Sequence, residues 1–498
     1  MNPSGAKLDI ETEPTDFRRL SVHGGAVSFI GQAIRFLLQI GSQLYIAHLV
    51  SPSAFGLVAM AAPILRFVQL FNAMGLLEAV IQRPSISHRE LSALFWVNLL
   101  VSTLFAAVFA AAAPLAAWFY GEPRLREVML CLCLILLLGG LAAQPMALLN
   151  RRMRFLPLTL IDIFSTAAAA IVGIGMAVLH FSYWSLVAMQ ATNSLAVCAL
   201  AWLFSGWRPS PPRWEPEIVP LLGFGSHISA YNVLGFFAES FDRVLLGAAT
   251  GGRALGLYDR SSTLVMTTLT LVMSTFTRIA VPLLSRLVDS GERYRRTYLW
   301  ILQTVLTLIT PGLLVVILVP GSLIQICLGS AWLDAIPIIR LLAFGAMVHP
   351  IIASTAWLFV SQGRADQQLV WGSFGCAAIA ASFVAGLPWG AVGVAGSWAA
   401  CSWLVWAPMI VWAATRHGPV RTRDLVKVCI PLVAGTCMAS LALWVVSSGV
   451  DIDTLEELAL ALLLSYGAHG VVLALVPGGK HFLRDTWGLL CGLRETPP

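Results

Sequence analysis

Apolar residues recur along this chain in blocks of 20 to 30, separated by short polar turns, and a helix that crosses a bilayer needs roughly 20. The blocks lie near 22–48, 54–82, 91–119, 126–149, 156–180, 183–206, 220–248, 254–284, 297–320, 334–361, 367–388, 391–414, 425–448 and 457–476. Only 11% of the 498 residues are charged, against about 25% in soluble domains, so no large soluble domain fits. Outer-membrane strands would show about ten-residue segments of alternating polarity, and none is seen. The expected fold class is all-α: a polytopic membrane protein with about fourteen transmembrane helices.

Lys and Arg set the orientation of such a chain, because short cytoplasmic loops retain them. With the N-terminus inside, 22 of the 31 basic residues fall in cytoplasmic segments, and the outer loops hold only Arg124, Arg126 and Arg253. Both termini are therefore expected in the cytoplasm. The net charge of +6 is explained by this topology and implies no nucleic-acid partner. The polar N-terminal tail lacks the pattern of a cleaved signal peptide. Seven of the nine cysteines fall within spans, where they act as small apolar residues; no disulfide, metal site or cofactor is expected.

The turn after the first block contains Ala54-Phe55-Gly56-Leu57, and the turn after the seventh contains Ala254-Leu255-Gly256-Leu257, an offset of 200 residues. A second pair, Phe119-Tyr120-Gly121 and Cys327-Leu328-Gly329, recurs at an offset of 208. Six spans separate the members of each pair, so duplicated halves would insert in the same direction, related by an axis along the membrane normal. The expected organisation is a cytoplasmic tail (1–20), an N-lobe of helices 1–6 (21–206), a cytoplasmic linker (207–219), a C-lobe of helices 7–12 (220–414), helices 13–14 (415–476) and a cytoplasmic tail (477–498).

Ionisable residues at bilayer depth are costly and mark functional candidates. In the first span Gln32, Arg35, Gln39 and Gln43 are spaced 3, 4 and 4 apart, which places them on one stripe of a helix. Such a stripe must line a wet cavity or a polar seam between helices. Arg66 heads a similar strip in the second span. Asp162 is the chief acid available to neutralise two arginines, so the alternatives are a ligand-facing role or a structural one, bonded to backbone carbonyls or to Asp162. Arginine's planar fork suits a pyrophosphate or a sugar carboxylate. Arg278 serves either as a cavity residue or as a cytoplasmic anchor, and Arg340 is a further cavity candidate. At the outer end of span 7, Glu239 and Arg243 are four apart with Asp242 between them. They form either a structural bridge or, with Asp162, a gate or ion-coupling group. His227 and His349 within spans are either groups that titrate near neutral pH or, the more usual case, hydrogen-bonded packing residues.

The stretches Arg35…Leu49-Val50-Ser51-Pro52-Ser53-Ala54-Phe55-Gly56-Leu57, Phe241-Asp242-Arg243-Val244-Leu245-Leu246-Gly247, Ala254-Leu255-Gly256-Leu257-Tyr258 and Pro282-Leu283-Leu284-Ser285 resemble those of Wzx-type polysaccharide flippases. These belong to the multidrug/oligosaccharidyl-lipid/polysaccharide exporter superfamily, and the resemblance covers about residues 20–415. It implies two six-helix lobes in a V around a cavity that opens alternately to each side, with two extra helices. Lipid II flippases of that superfamily carry cavity arginines on helices 1, 2 and 8. Arg35, Arg66 and Arg278 sit on similar helices here.

No P-loop and no soluble nucleotide-binding domain is encoded, and the outer loops are too short for a catalytic face; the chain is not expected to be an enzyme. The resulting expectation is a flippase of the bacterial cytoplasmic membrane that translocates an undecaprenyl-pyrophosphate-linked oligosaccharide for surface polysaccharide biosynthesis. Its partners would be that lipid, membrane lipids, and a polysaccharide polymerase with assembly proteins. The alternatives are a multidrug cation antiporter, which needs an unpaired cavity carboxylate, and a non-transporting scaffold of a glycan-assembly complex.

Overall fold

The computed structural model describes residues 14–73, 87–212, 219–447 and 454–476, with Gly479 and Phe482; side chains are described for 30–67, 87–212, 240–445, 455–476 and those two. The fold is all-α. In chain order the helices are α1 (Pro14–Leu49), α2 (Pro52–Ala73), α3 (His88–Tyr120), α4 (Arg124–Arg151), α5 (Phe155–Val178) and α6 (Tyr183–Ser205). A continuous stretch, Val219–Ser285, follows. It breaks at Gly251 (φ 78°, ψ −179°) into α7 (219–250) and α8 (252–285). Then come α9 (Gly291–Leu318), α10 (Pro320–Cys327), α11 (Ile336–Ala346), α12 (His349–Ser361), α13 (Ala365–Gly386), α14 (Gly390–Cys401), α15 (Ala407–Thr415), α16 (Thr422–Ser447) and α17 (Thr454–Leu475).

Ten helical stretches among the described residues are long and apolar enough to cross a membrane. This number is below the fourteen predicted spans for identifiable reasons. One apolar stretch, Ala365–Thr415, covers two predicted spans, which meet at the 3-10 turn Leu387–Trp389 and at Gly390 (φ 64°). The stretch Ser240–Ser285 likewise runs through the Gly251 break. Much of the side-chain content of α1, α2 and α7 lies outside the described residues.

The chain divides into two compact units, Met1–Gly256 and Leu257–Pro498. In the first, α3 packs on α4, α5 on α6, α1 on α5, and α4 on α6, while α2 lies against α3, α4 and α6. A capping box at Ser87 and Glu90 starts α3, and Gly121 (φ 64°) ends it by accepting the left-handed conformation that side chains disfavour. The seam of α3 and α4 is narrow and polar: Asn98 Nδ2 donates to the Gly140 carbonyl at 3.2 Å, and a methyl at Gly140 would strike Ser102.

The two sequence repeats meet inside this unit. A methyl added at Gly56 would land on the Gly252 carbonyl, and one added at Gly256 would land on the Pro52 carbonyl. At the offset of 200, positions 52 and 56 become 252 and 256. The two contacts therefore exchange with one another, which is the signature of a local two-fold relation.

Residues 206–212 fold back on α3. Trp207 is buried, Trp96 Nε1 donates to the Ser210 carbonyl at 2.8 Å, and the Ser210 amide donates to Ser92 Oγ at 3.0 Å. Phe95 meets the rings of Trp96, Trp202 and Trp207 edge-on, a geometry that aromatic quadrupoles favour.

In the second unit α9 is central, packing against α11, α12, α16 and α17. The Tyr294 hydroxyl meets Ser361 Oγ at 2.6 Å and the Tyr298 hydroxyl meets Ser354 Oγ at 2.9 Å, joining α9 to α12. Trp357 Nε1 donates to Thr277 Oγ1 of α8 at 2.9 Å. Tyr466 and Ser465 of α17 reach α9 by donating to the Leu308 and Pro311 carbonyls, both at 2.9 Å. Trp398 lies on Gly345 and Trp406 on Gly375, so small residues admit indoles between α14, α11 and α13.

Candidate functional site: the polar face of helix α1

At 100° per residue, Gln32, Arg35, Gln39 and Gln43 fall within an arc of about 80° on α1. Ile30, Ile34, Leu37 and Tyr45 are exposed apolar side chains and fall on the opposite side of the helix, within an arc of about 80°. The apolar set is the face suited to lipid. The polar set, with Gln32 and Gln39 exposed and Arg35 and Gln43 partly buried, is the face that hydrocarbon would penalise.

Helix α5 sits beside that polar face. A methyl at Gly31 would strike Thr159, Arg35 pairs with Asp162, and Ile46 lies against Gly173. These partners ascend together on both helices, so α1 and α5 run parallel. Gly31 and Gly173 let the backbones approach, which brings Arg35 Nη1 to 3.2 Å from Asp162 Oδ1. Asp162 lies seven residues into α5, about 10 Å from its start. Among the described residues of α1 to α6, the other acids, Asp16, Glu90 and Glu127, sit in the first turns of their helices. Asp162 is therefore the one acid at depth in that set. The pair remains partly open, with side-chain exposures of 38% and 28%.

The remaining predicted residues divide by what the structure places near them. Arg66 is exposed where α2 emerges from packing that buries most of Pro52–Leu65. Arg278 is exposed near the end of α8. Arg340 donates through Nε to the Ile317 carbonyl at 3.0 Å; it caps the end of α9, a role for which a donor near a helix C-terminus is suited. Asp242 is buried. Its Oδ1 lies 3.6 Å from Arg243 Nη1 and accepts the Arg243 amide at 2.7 Å. The Glu239 side chain, His227 and the predicted strip beyond Arg66 lie outside the described residues. Asp259 and Arg260, charges that the sequence also places at the start of the eighth span, form a second adjacent pair at 3.1 Å. No group of three or more metal-ligating side chains occurs among the described residues.

Known proteins resemble this chain along most of its length. A family described as "Polysaccharide biosynthesis protein" matches residues 45–337. The teichuronic acid biosynthesis protein TuaB of Bacillus subtilis is 24% identical over 320 residues, 62% of this chain and 64% of that protein. The lipopolysaccharide biosynthesis protein WzxC of Escherichia coli is 22% identical over 355 residues, 70% of this chain and 71% of that protein. The match thus spans about two thirds of these relatives' length. Among solved structures, the lipid II flippase MurJ in an inward closed conformation superimposes with a TM-score of 0.71 over 94% of this chain and 100% of its own, at 10% identity. That likeness is one of fold.

Proposed function

Since the chain belongs to the polysaccharide biosynthesis protein family, we propose that it is a flippase: it carries an undecaprenyl-pyrophosphate-linked oligosaccharide across the bacterial cytoplasmic membrane by alternating access. Both termini are in the cytoplasm. The hydrophilic part of the substrate passes along the polar face of α1, while the polyprenyl tail stays in lipid. The observation that carries this reading is the α1 stripe itself: three glutamines and an arginine paired to Asp162 at 3.2 Å, opposite an apolar exposed face. A helix that merely filled a packed lobe would have no use for that polar row. Arg66, exposed on α2, supplies a fixed cation to the anionic part of the lipid.

A cation antiporter is disfavoured by the same geometry, because the deep carboxylate of this region already has a guanidinium beside it. The lobes remain as read from the repeat, 21–206 and 220–414, joined by 207–219. Complementation of a flippase-deleted strain tests the proposal, with Arg35→Ala, Arg66→Ala and Arg35→Lys compared at matched membrane abundance. The expected result is that the wild-type chain restores surface polysaccharide and the alanine variants accumulate lipid-linked intermediates. Normal export by those variants would remove the arginines from the transport path. Drug resistance without export by the wild-type chain would favour the antiporter.

A further inference from the structure

An arginine within a membrane span invites assignment to the pyrophosphate. The structure gives Arg35 a different role. Its guanidinium is 3.2 Å from the Asp162 carboxylate, so the pair carries no net charge, and a phosphate approaching Arg35 would meet Asp162 as well. Along the same row the exposed side chains are the amides of Gln32 and Gln39, neutral groups that each donate and accept. From Gln32 to Gln43 the row is about 16 Å long. It presents donors only at Arg35, acceptors only at Asp162, and both at the amides. Sugar hydroxyls, which are both donors and acceptors, match this array; a diphosphate, which is all acceptor and strongly anionic, does not. Among the described residues, the exposed cation on the first two helices that has no acid beside it is Arg66.

We propose, building on the flippase reading, that the α1–α5 face is a neutral glycan-binding subsite in which the Arg35–Asp162 pair sets the tolerance for charged sugars, and that recognition of the pyrophosphate lies elsewhere. The two members of the pair then act in opposite senses. Without Asp162 the subsite becomes cationic and favours acidic sugars. Without the Arg35 charge it becomes anionic and rejects them.

The test uses the purified full chain in lipid nanodiscs and three probes: undecaprenyl pyrophosphate without sugar, the same lipid carrying a neutral tetrasaccharide, and the same lipid carrying that tetrasaccharide with one residue oxidised to a uronic acid. Asp162→Asn is expected to raise the acidic-to-neutral affinity ratio about five- to tenfold and Arg35→Gln to lower it by a similar factor. The double substitution should return the ratio to the wild-type value. Binding of the sugar-free lipid should stay within about twofold throughout, while Arg66→Gln weakens all three probes.

A ratio unmoved in both single variants would make the pair purely structural. Loss of sugar-free lipid binding in step with the sugar-bearing lipids would place the pyrophosphate at Arg35. Either result overturns the proposal. If the variants fail to fold, the wild-type chain still decides: a diazirine on the tetrasaccharide should label the α1 peptide, and one beside the pyrophosphate should not. Absence of α1 labelling from the sugar, or labelling from the pyrophosphate position, overturns the assignment. If the wild-type chain binds none of the three lipids, the flippase reading itself fails, and the subsite with it.

Discussion

The Gly56 backbone lies so close to the Gly252 carbonyl that no side chain fits between them, and Gly256 bears the same relation to Pro52. Each contact is the image of the other under the 200-residue repeat. Gly56→Ala and Gly256→Ala should each force a backbone shift and cost about 1–3 kcal/mol, the usual range for overpacking a tight contact. Gly41→Ala is the control, because nothing lies within 4 Å of the position its Cβ would take. Apparent melting temperature in detergent checks this. Equal behaviour of Gly56→Ala and Gly41→Ala would mean the seam has slack.

The two residues of the α1–α5 pair should be energetically coupled. A partly exposed pair is worth less than a buried one, because water screens it and its side chains lose freedom when held together. Its depth in an apolar span pulls the other way. A double-mutant cycle on Arg35→Gln and Asp162→Asn should give a coupling of about 1 kcal/mol, with the double variant less impaired than the sum of the singles. Strict additivity would show that the two side chains do not interact in the bilayer.

Ser354 Oγ donates to the Ile351 carbonyl at 2.8 Å, so in its contact with Tyr298 it is the tyrosine hydroxyl that donates. This predicts an asymmetry. Tyr298→Phe removes one donor and leaves Ser354 bonded to its own helix, at a cost of about 1 kcal/mol. Ser354→Ala strands the hydroxyl of a fully buried tyrosine, at a cost of about 1–3 kcal/mol. Thermal stability of the two variants in parallel should rank Ser354→Ala as the more damaging. The reverse order would overturn the donor assignment.

The pattern of spans was legible because bilayer burial writes itself into local composition: each predicted block that lies within the described residues coincides with helix. The partnership of Arg35 with Asp162 was legible as one of two alternatives, since few acids lie deep in the first six spans. The cap formed by Arg340 was not, because its acceptor is a carbonyl, Ile317, and every residue has one. The break at Gly251 falls in the predicted turn between the seventh and eighth blocks, but which glycine would take the positive φ was hidden. A glycine among forty-one carries no mark of which will take a positive φ. The return of residues 206–212 onto α3 depends on aromatic contacts more than a hundred residues apart in sequence, where neither periodicity nor spacing gives a register.

That return carries its own test. The Ser210 carbonyl accepts from Trp96 and its amide donates to Ser92, so both backbone groups of one residue are tied to α3. Ser92→Ala removes the acceptor of the amide, and Trp96→Phe removes the donor to the carbonyl while keeping most of the aromatic contact with Phe95. Each lost bond is worth about 1 kcal/mol, enough to speed local opening several-fold. Amide hydrogen exchange at 208–211 should therefore accelerate in both variants, more in the double than in either single, while the core of α3 keeps its protection. If exchange in this segment is unchanged, the aromatic cluster around Trp207 alone holds the strand of chain against α3, and the two hydrogen bonds contribute little to fixing it there.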